Sequence, residues 1–388
     1  MAKSIPAIVT PEVLTWARNL DQITVEEIAR KLKTEASKVE AWERGEEHPT
    51  LPQAKAFAKQ CRIPFVYLYL PDTPRKEKRL EKVDYRTFGN GKTTTTSREL
   101  KWLLRDIEER RDAMIGLYKE AEYDAVSLSL SIPIGTTKEQ FAKTIREYLS
   151  LSDAIQTKQR KPEKLLSYCI SVLEDKDYLV FQAAGIQPSE MRGLSVAYDT
   201  FPIIVLNRKD EQSARLFTLI HELVHILSRT SGICNDMGRE EESGNQLEFF
   251  CNEVAGLTLV PTNQLVENQY YAQLKTYGFD DYYVSALARD FAVSREVILH
   301  RLWDLQDITK TRYYEVLNRY TEEYKAYKNK KKEGFLPPAI DKGTQVGKLF
   351  TKTVLSAYHS DRLSPREASN YLLGLGVKHF GAVERWCF

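Results

Sequence analysis

Cysteine is scarce and badly spaced for cross-linking. The chain has five, Cys61, Cys169, Cys234, Cys251 and Cys387, with no CxxC pair among them. An odd, scattered set argues against a disulfide framework and a cysteine zinc knuckle, and it fits a reducing cytoplasm. Long apolar runs are missing as well. No stretch approaches the roughly 18 apolar residues of a membrane span, and the N-terminus has one lysine with no apolar segment behind it. An unexported, cytoplasmic protein with no membrane partner is expected. Neither charge sign is in excess: 56 Lys and Arg stand against 54 Asp and Glu. Bulk electrostatics therefore cannot hold nucleic acid, and any DNA contact has to come from a local surface. No repeat of fixed period occurs, and the only low-complexity patch is Thr93 to Thr96.

What the chain does have is length and punctuation. Its 388 residues are 42% hydrophobic, which excludes disorder as the main state and predicts two or three domains. Pro71-Asp-Thr-Pro74 ends one pattern, and the basic run Arg75 to Lys82 follows as a linker. From Ser97 to Tyr123, Leu100, Leu103, Leu104, Ile107, Met114 and Leu117 recur at helical intervals and predict one long amphipathic helix. Helices are also expected over Lys138 to Leu151 and Pro162 to Leu173. Strands are expected at Tyr178 to Phe181 and Phe201 to Leu206, and a further helix from Asp210 to Ser228. The fold class is thus α+β and predominantly helical: an N-terminal all-α bundle (1–71), a linker with the long helix (72–135), a domain with a small sheet (136–314) and a helical C-terminal region (315–388).

Within residues 1–71 four short amphipathic segments are separated by polar turns. Thr24 with Glu27 forms a capping-box pattern ahead of Ile28, Ala29 and Leu32. The runs Thr24-Val-Glu-Glu-Ile-Ala-Arg-Lys-Leu32, Trp42-Glu-Arg-Gly45, Pro49-Thr50 and Gln53-Ala-Lys-Ala-Phe-Ala58 resemble the XRE/Cro-type helix-turn-helix family. The resemblance implies double-stranded operator DNA as a partner, with Ser37, Lys38 and Arg44 as the candidate contacts. Val25 stands where the family usually has a phosphate-reaching Gln, Lys33 replaces the turn Gly, and Glu40 opposes phosphate. A bundle used for dimerisation or protein contact is the other use these residues support.

The central motif is His221-Glu-Leu-Val-His225. Two histidines four apart share one helix face and can point at one ion, while Glu222 projects beside that face as a general base would. Chance would give this spacing in about one percent of such chains. A catalytic zinc needs a third protein ligand. Downstream, Leu247 to Pro261 reads as a second helix on which Glu248 and Asn252 share a face. Glu248 can supply the ligand while Asn252 holds a histidine from behind. Cys251 ranks second for the metal, and Glu253 points away.

Together Ile203-Ile-Val-Leu-Asn207, Arg215-Leu-Phe-Thr218, His221 to His225, Glu248, Asn252 and Pro261 resemble the ImmA/IrrE metallopeptidase family. That resemblance implies a zincin-like domain over 136–314, a Zn2+ cofactor, and cleavage of a repressor or other protein partner in a mobile-element, stress or toxin-antitoxin setting. The alternative is a non-proteolytic DNA-binding regulator or antitoxin with a structural or idle metal site. Tyr198, Arg192, Tyr270 and Tyr271 are candidates for stabilising an oxyanion, with nothing to choose among them. His300 reads as a core or surface histidine, and residues 315–388 are expected to serve partner or homodimer contacts.

Overall fold

The computed structural model describes residues 5–74, 97–133, 135–229, 232–234, 246–330 and 336–387. The basic run Arg75 to Lys82, the threonine patch Thr93 to Thr96 and the end of the lysine run Lys325 to Lys332 lie outside them. Among the described residues the chain is mostly helical with one small sheet, an α+β layout. It divides into two compact units, which among the described residues comprise 5–74 with 97–106, and 107 onward. No helix among the described residues is long and apolar enough to cross a membrane.

Among the described residues the first unit is helical. It contains α1 (Pro11–Leu20), α2 (Val25–Leu32), α3 (Ala36–Glu43), α4 (Leu51–Gln60), a 3-10 turn at Phe65–Tyr69 and the start of α5 (Arg98–Glu120). Val13, Leu14, Ala17, Ile28, Val39, Trp42 and Phe57 form its core. Capping boxes open α2, where Thr24 pairs with Glu27, and α4, where Thr50 pairs with Gln53. Each such cap contributes about 1 kcal/mol by satisfying backbone N–H groups that a helix start leaves bare. α2 ends on Lys33 at φ 53°, ψ 46°, the left-handed conformation that glycine adopts without strain. Asp21 is buried; it accepts the indole N–H of Trp102 and, at 2.9 Å, the guanidinium of Arg105.

Among the described residues the second unit is built on four strands: β1 (Leu179–Ala183), β2 (Gly193–Val196), β3 (Ile203–Asn207) and β4 (Gly232–Cys234), in the order β1-β3-β2-β4. β1 runs parallel to β3 with Phe181 opposite Val205. β2 is antiparallel to both β3, with Leu194 opposite Val205, and β4. Every residue of β2 and β3 is buried, as expected of strands covered on both faces. α6 (Lys138–Tyr148), α7 (Asp153–Lys158) and α8 (Pro162–Glu174) precede the sheet. α9 (Gln212–Leu227) follows β3 and packs against β2, β3, α8 and α10 (Gln246–Leu259). The helices α11 (Thr262–Glu267), α12 (Gln269–Tyr277), α13 (Asp281–Asp290), α14 (Arg295–Asp304) and α15 (Lys310–Lys330) come next. Ser294 caps α14 by accepting from the Val297 N–H.

The chain ends in α16 (Pro338–Val346), α17 (Lys348–His359), α18 (Pro365–Tyr371) and α19 (Phe380–Cys387). α16 lies against β1, and Phe350 of α17 meets the Phe181 ring edge-on at 6.3 Å. The buried Glu174 carboxylate accepts the Leu349 N–H at the start of α17, which ties that helix to the end of α8.

Candidate metal centre

α9 is enclosed on all sides from Leu216 onward. Leu216 to Leu227 are buried without interruption, which a helix achieves only when other elements enclose it. Each fully buried large aliphatic side chain contributes about 1.5–3 kcal/mol, enough to carry polar groups that burial penalises. Four polar residues are buried in this stretch, Thr218 and the three ionisable ones: His221, Glu222 and His225 are 1%, 0% and 2% exposed.

The two histidines converge. Their Nε2 atoms are 3.1 Å apart, and the Glu248 carboxylate of α10 reaches between them, 3.1 Å from His221 Nε2 and 3.2 Å from His225 Nε2. Donors about 2.0–2.1 Å from one tetrahedral ion lie roughly 3.3 Å from each other. These three groups therefore have the spacing of ligands to a single ion, and a His-His-carboxylate set suits zinc. Behind them, Asn252 Oδ1 sits 2.9 Å from His221 Nδ1, which fixes that ring with Nε2 toward Glu248. Burial pushes the Glu248 carboxyl up, but its hydrogen bonds with His221 and His225 outweigh this and hold it well below the usual carboxylate range. Burial opposes charge on His225, yet the neighbouring Cys251 and Glu248 draw its pKa well above the ordinary imidazole value. Glu253 is turned away and pairs with Lys138 of α6. Cys251 is fully buried, and its Sγ shares a cluster with His221 and His225 whose donor atoms all lie within 4.8 Å of one another.

Glu222 stands on the β2 side of the same helix. Ser195 Oγ donates to its Oε2 at 2.6 Å, while Oε1 is buried with no hydrogen-bond partner among the described residues. Burial raises its pKa, an effect that the two histidines and the Ser195 hydrogen bond reduce. The helix can approach this closely because residue 193 is glycine. A Cβ there would lie 2.4 Å from Thr218 Cγ2 and 2.5 Å from Glu222 Oε1. Neither Ser195 nor Gly193 was foreseen. Gly-Leu-Ser-Val is too short, and too buried on both faces, to show a strand period. Asn207, at the end of β3, donates to the Ile186 and Met191 carbonyls and accepts the Lys209 N–H, pinning the turn into α9.

The other candidates are placed differently. Tyr198 donates to Glu108, Arg192 lies 3.6 Å from Asp210, and Tyr271 donates to Asp307. The Tyr270 ring lies against Tyr282. His300 pairs with Asp304 and meets the Trp303 and Tyr313 rings edge-on. On α3 of the first unit, Ser37 and Lys38 are exposed beside the exposed Glu40. Arg44 donates to Glu46 at 2.8 Å and lies 3.5 Å from Glu40, so two carboxylates match its charge.

Residues 182–303 match the family model of the IrrE N-terminal-like domain, a peptidase family of the M78 type. The matched span runs from the end of β1 into α14 and contains all the residues of the cluster, so this part of the chain is a metallopeptidase-like domain. No curated protein matches the chain.

Proposed function

We propose that this chain is a regulatory zinc metallo-endopeptidase that cleaves a repressor or other partner protein, carrying an XRE-type helix-turn-helix in its first unit that binds double-stranded operator DNA. The observation that carries the peptidase reading is the convergence of His221, His225 and Glu248 at ligand spacing, with Glu222 buried beside them. In this reading His221, His225 and Glu248 hold the ion and Asn252 orients His221. When bound, zinc polarises the scissile carbonyl and lowers the pKa of water toward 7. Glu222 accepts the proton of the attacking water on Oε1 and returns it to the leaving amine, while Ser195 keeps the other oxygen occupied. The enclosed apolar setting strengthens the electrostatics of each step.

The test is the Glu222→Gln variant. It removes the base and leaves the ligands in place, so cleavage of a proteome-derived peptide library, followed by mass spectrometry, should fall by about 10² to 10⁴ relative to wild type. Equal cleavage by both, or none by either, defeats the peptidase reading.

A second reading, a DNA-binding regulator or antitoxin whose metal site is structural or idle, draws support from Cys251, a further donor beside the histidines. A structural site has no need of Glu222 as a base, so under this reading repression survives Glu222→Gln unchanged.

A further inference from the structure

The face of α10 that meets the histidines carries three polar residues. Glu248, Cys251 and Asn252 are spaced i, i+3 and i+4, which places them on one side of a helix. Glu248 touches both Nε2 atoms and Asn252 meets His221 from behind. Cys251 lies between them in sequence, is fully shielded from solvent, and has its Sγ within 4.8 Å of both imidazoles. A thiolate and an imidazole on one tetrahedral zinc are separated by roughly 3.6 Å, about 1 Å less than the 4.8 Å within which the sulfur and both imidazoles lie.

We propose that Cys251 is a ligand of the metal alongside His221, His225 and Glu248, closing the centre with four protein donors in part of the molecules and so restraining the peptidase without silencing it. The inference rests on the metallopeptidase reading and adds a state to it. Thiolate is a strong donor for zinc and similar borderline ions. On metal binding the thiol gives up its proton to solvent as the sulfur–metal bond forms. A tetrahedral site with four protein ligands has no position left for water, which is the hallmark of a structural rather than a catalytic centre. Peptide cleavage is then confined to the molecules whose Cys251 sulfur has withdrawn, so wild type cleaves below its full rate.

Cobalt(II) added to metal-free full-length protein tests this by spectrum as well as by activity. Wild type should bind about one cobalt per chain and show a near-ultraviolet thiolate-to-cobalt absorption. Cys251→Ser should keep the cobalt and lose that band, whereas Cys169→Ser, a buried cysteine of α8 outside the cluster, should keep both. With zinc, Cys251→Ala should cleave the peptide library faster than wild type. A wild-type complex without the thiolate band, or a band that persists in Cys251→Ser, overturns the assignment while leaving the metal site standing. Equal cleavage by Cys251→Ala and wild type overturns the restraint on activity. Failure of wild type to bind cobalt at all removes the metal site and this inference together. Should Cys251→Ser not fold, the wild-type spectrum decides the question by itself.

Discussion

Two helices, α3 of the first unit and α9 of the second, show opposite ways of carrying polar side chains. On α3, Ser37, Lys38 and Glu40 are exposed, and Arg44 just beyond it is matched by Glu40 and Glu46. Exposed pairs of this kind contribute about 0–1 kcal/mol. They ask for no explanation beyond solvation, and they exchange for phosphate at little cost. On α9, His221, Glu222 and His225 are enclosed among leucine, isoleucine and valine. There each unmatched polar atom costs kcal/mol, so its presence needs a cause. A polar group on a wet helix is weak evidence of function, whereas one inside a dry helix is strong evidence, and the two units differ by that much.

The contrast can be tested from either end. The largest effect should come from Gly193→Ala. Its Cβ would collide with Thr218 and Glu222, and overpacking of this kind costs about 1–3 kcal/mol. Denaturant unfolding should show that loss, accompanied by a fall in peptide cleavage as Glu222 is displaced. Unchanged stability and cleavage would mean that β2 does not position the base. On the exposed helix, Lys38→Ala should weaken binding to the chain's own promoter and lower the slope of log affinity against log salt by about 1, read by titration at several salt concentrations. An unaltered slope would remove Lys38 from the DNA surface. The smallest effect belongs to Lys33→Gly. This relieves a left-handed residue at the end of α2 and should stabilise the first unit by about 0.5–1 kcal/mol in thermal or denaturant unfolding. A loss of stability would show that the Lys33 side chain matters more than its backbone conformation.

Much of the second unit was legible because helical spacing maps directly onto faces. His221 and His225 at i and i+4, and Glu248 with Asn252 at the same interval, could be paired on paper, and the structure brings these four side chains together. Capping signals were equally local, which is why Thr24 begins α2 as expected. What was not legible depends on pairing between distant segments. β2 and β4 have no periodic signature of their own and exist through their hydrogen bonds to neighbouring strands, so Ser195 and Gly193 reach Glu222 only after the sheet has formed. The docking of α16 against β1 is likewise a tertiary event to which no residue pattern in the C-terminal region points.

The most direct test of the central claim, that α9 and α10 together hold a metal ion, is elemental analysis of the purified protein and two variants. Wild type should carry about one zinc per chain, Glu222→Gln should keep it because that carboxylate is not a ligand, and His225→Ala should lose it because a ligand is deleted. Zinc absent from wild type, or equally present in His225→Ala, would contradict the account.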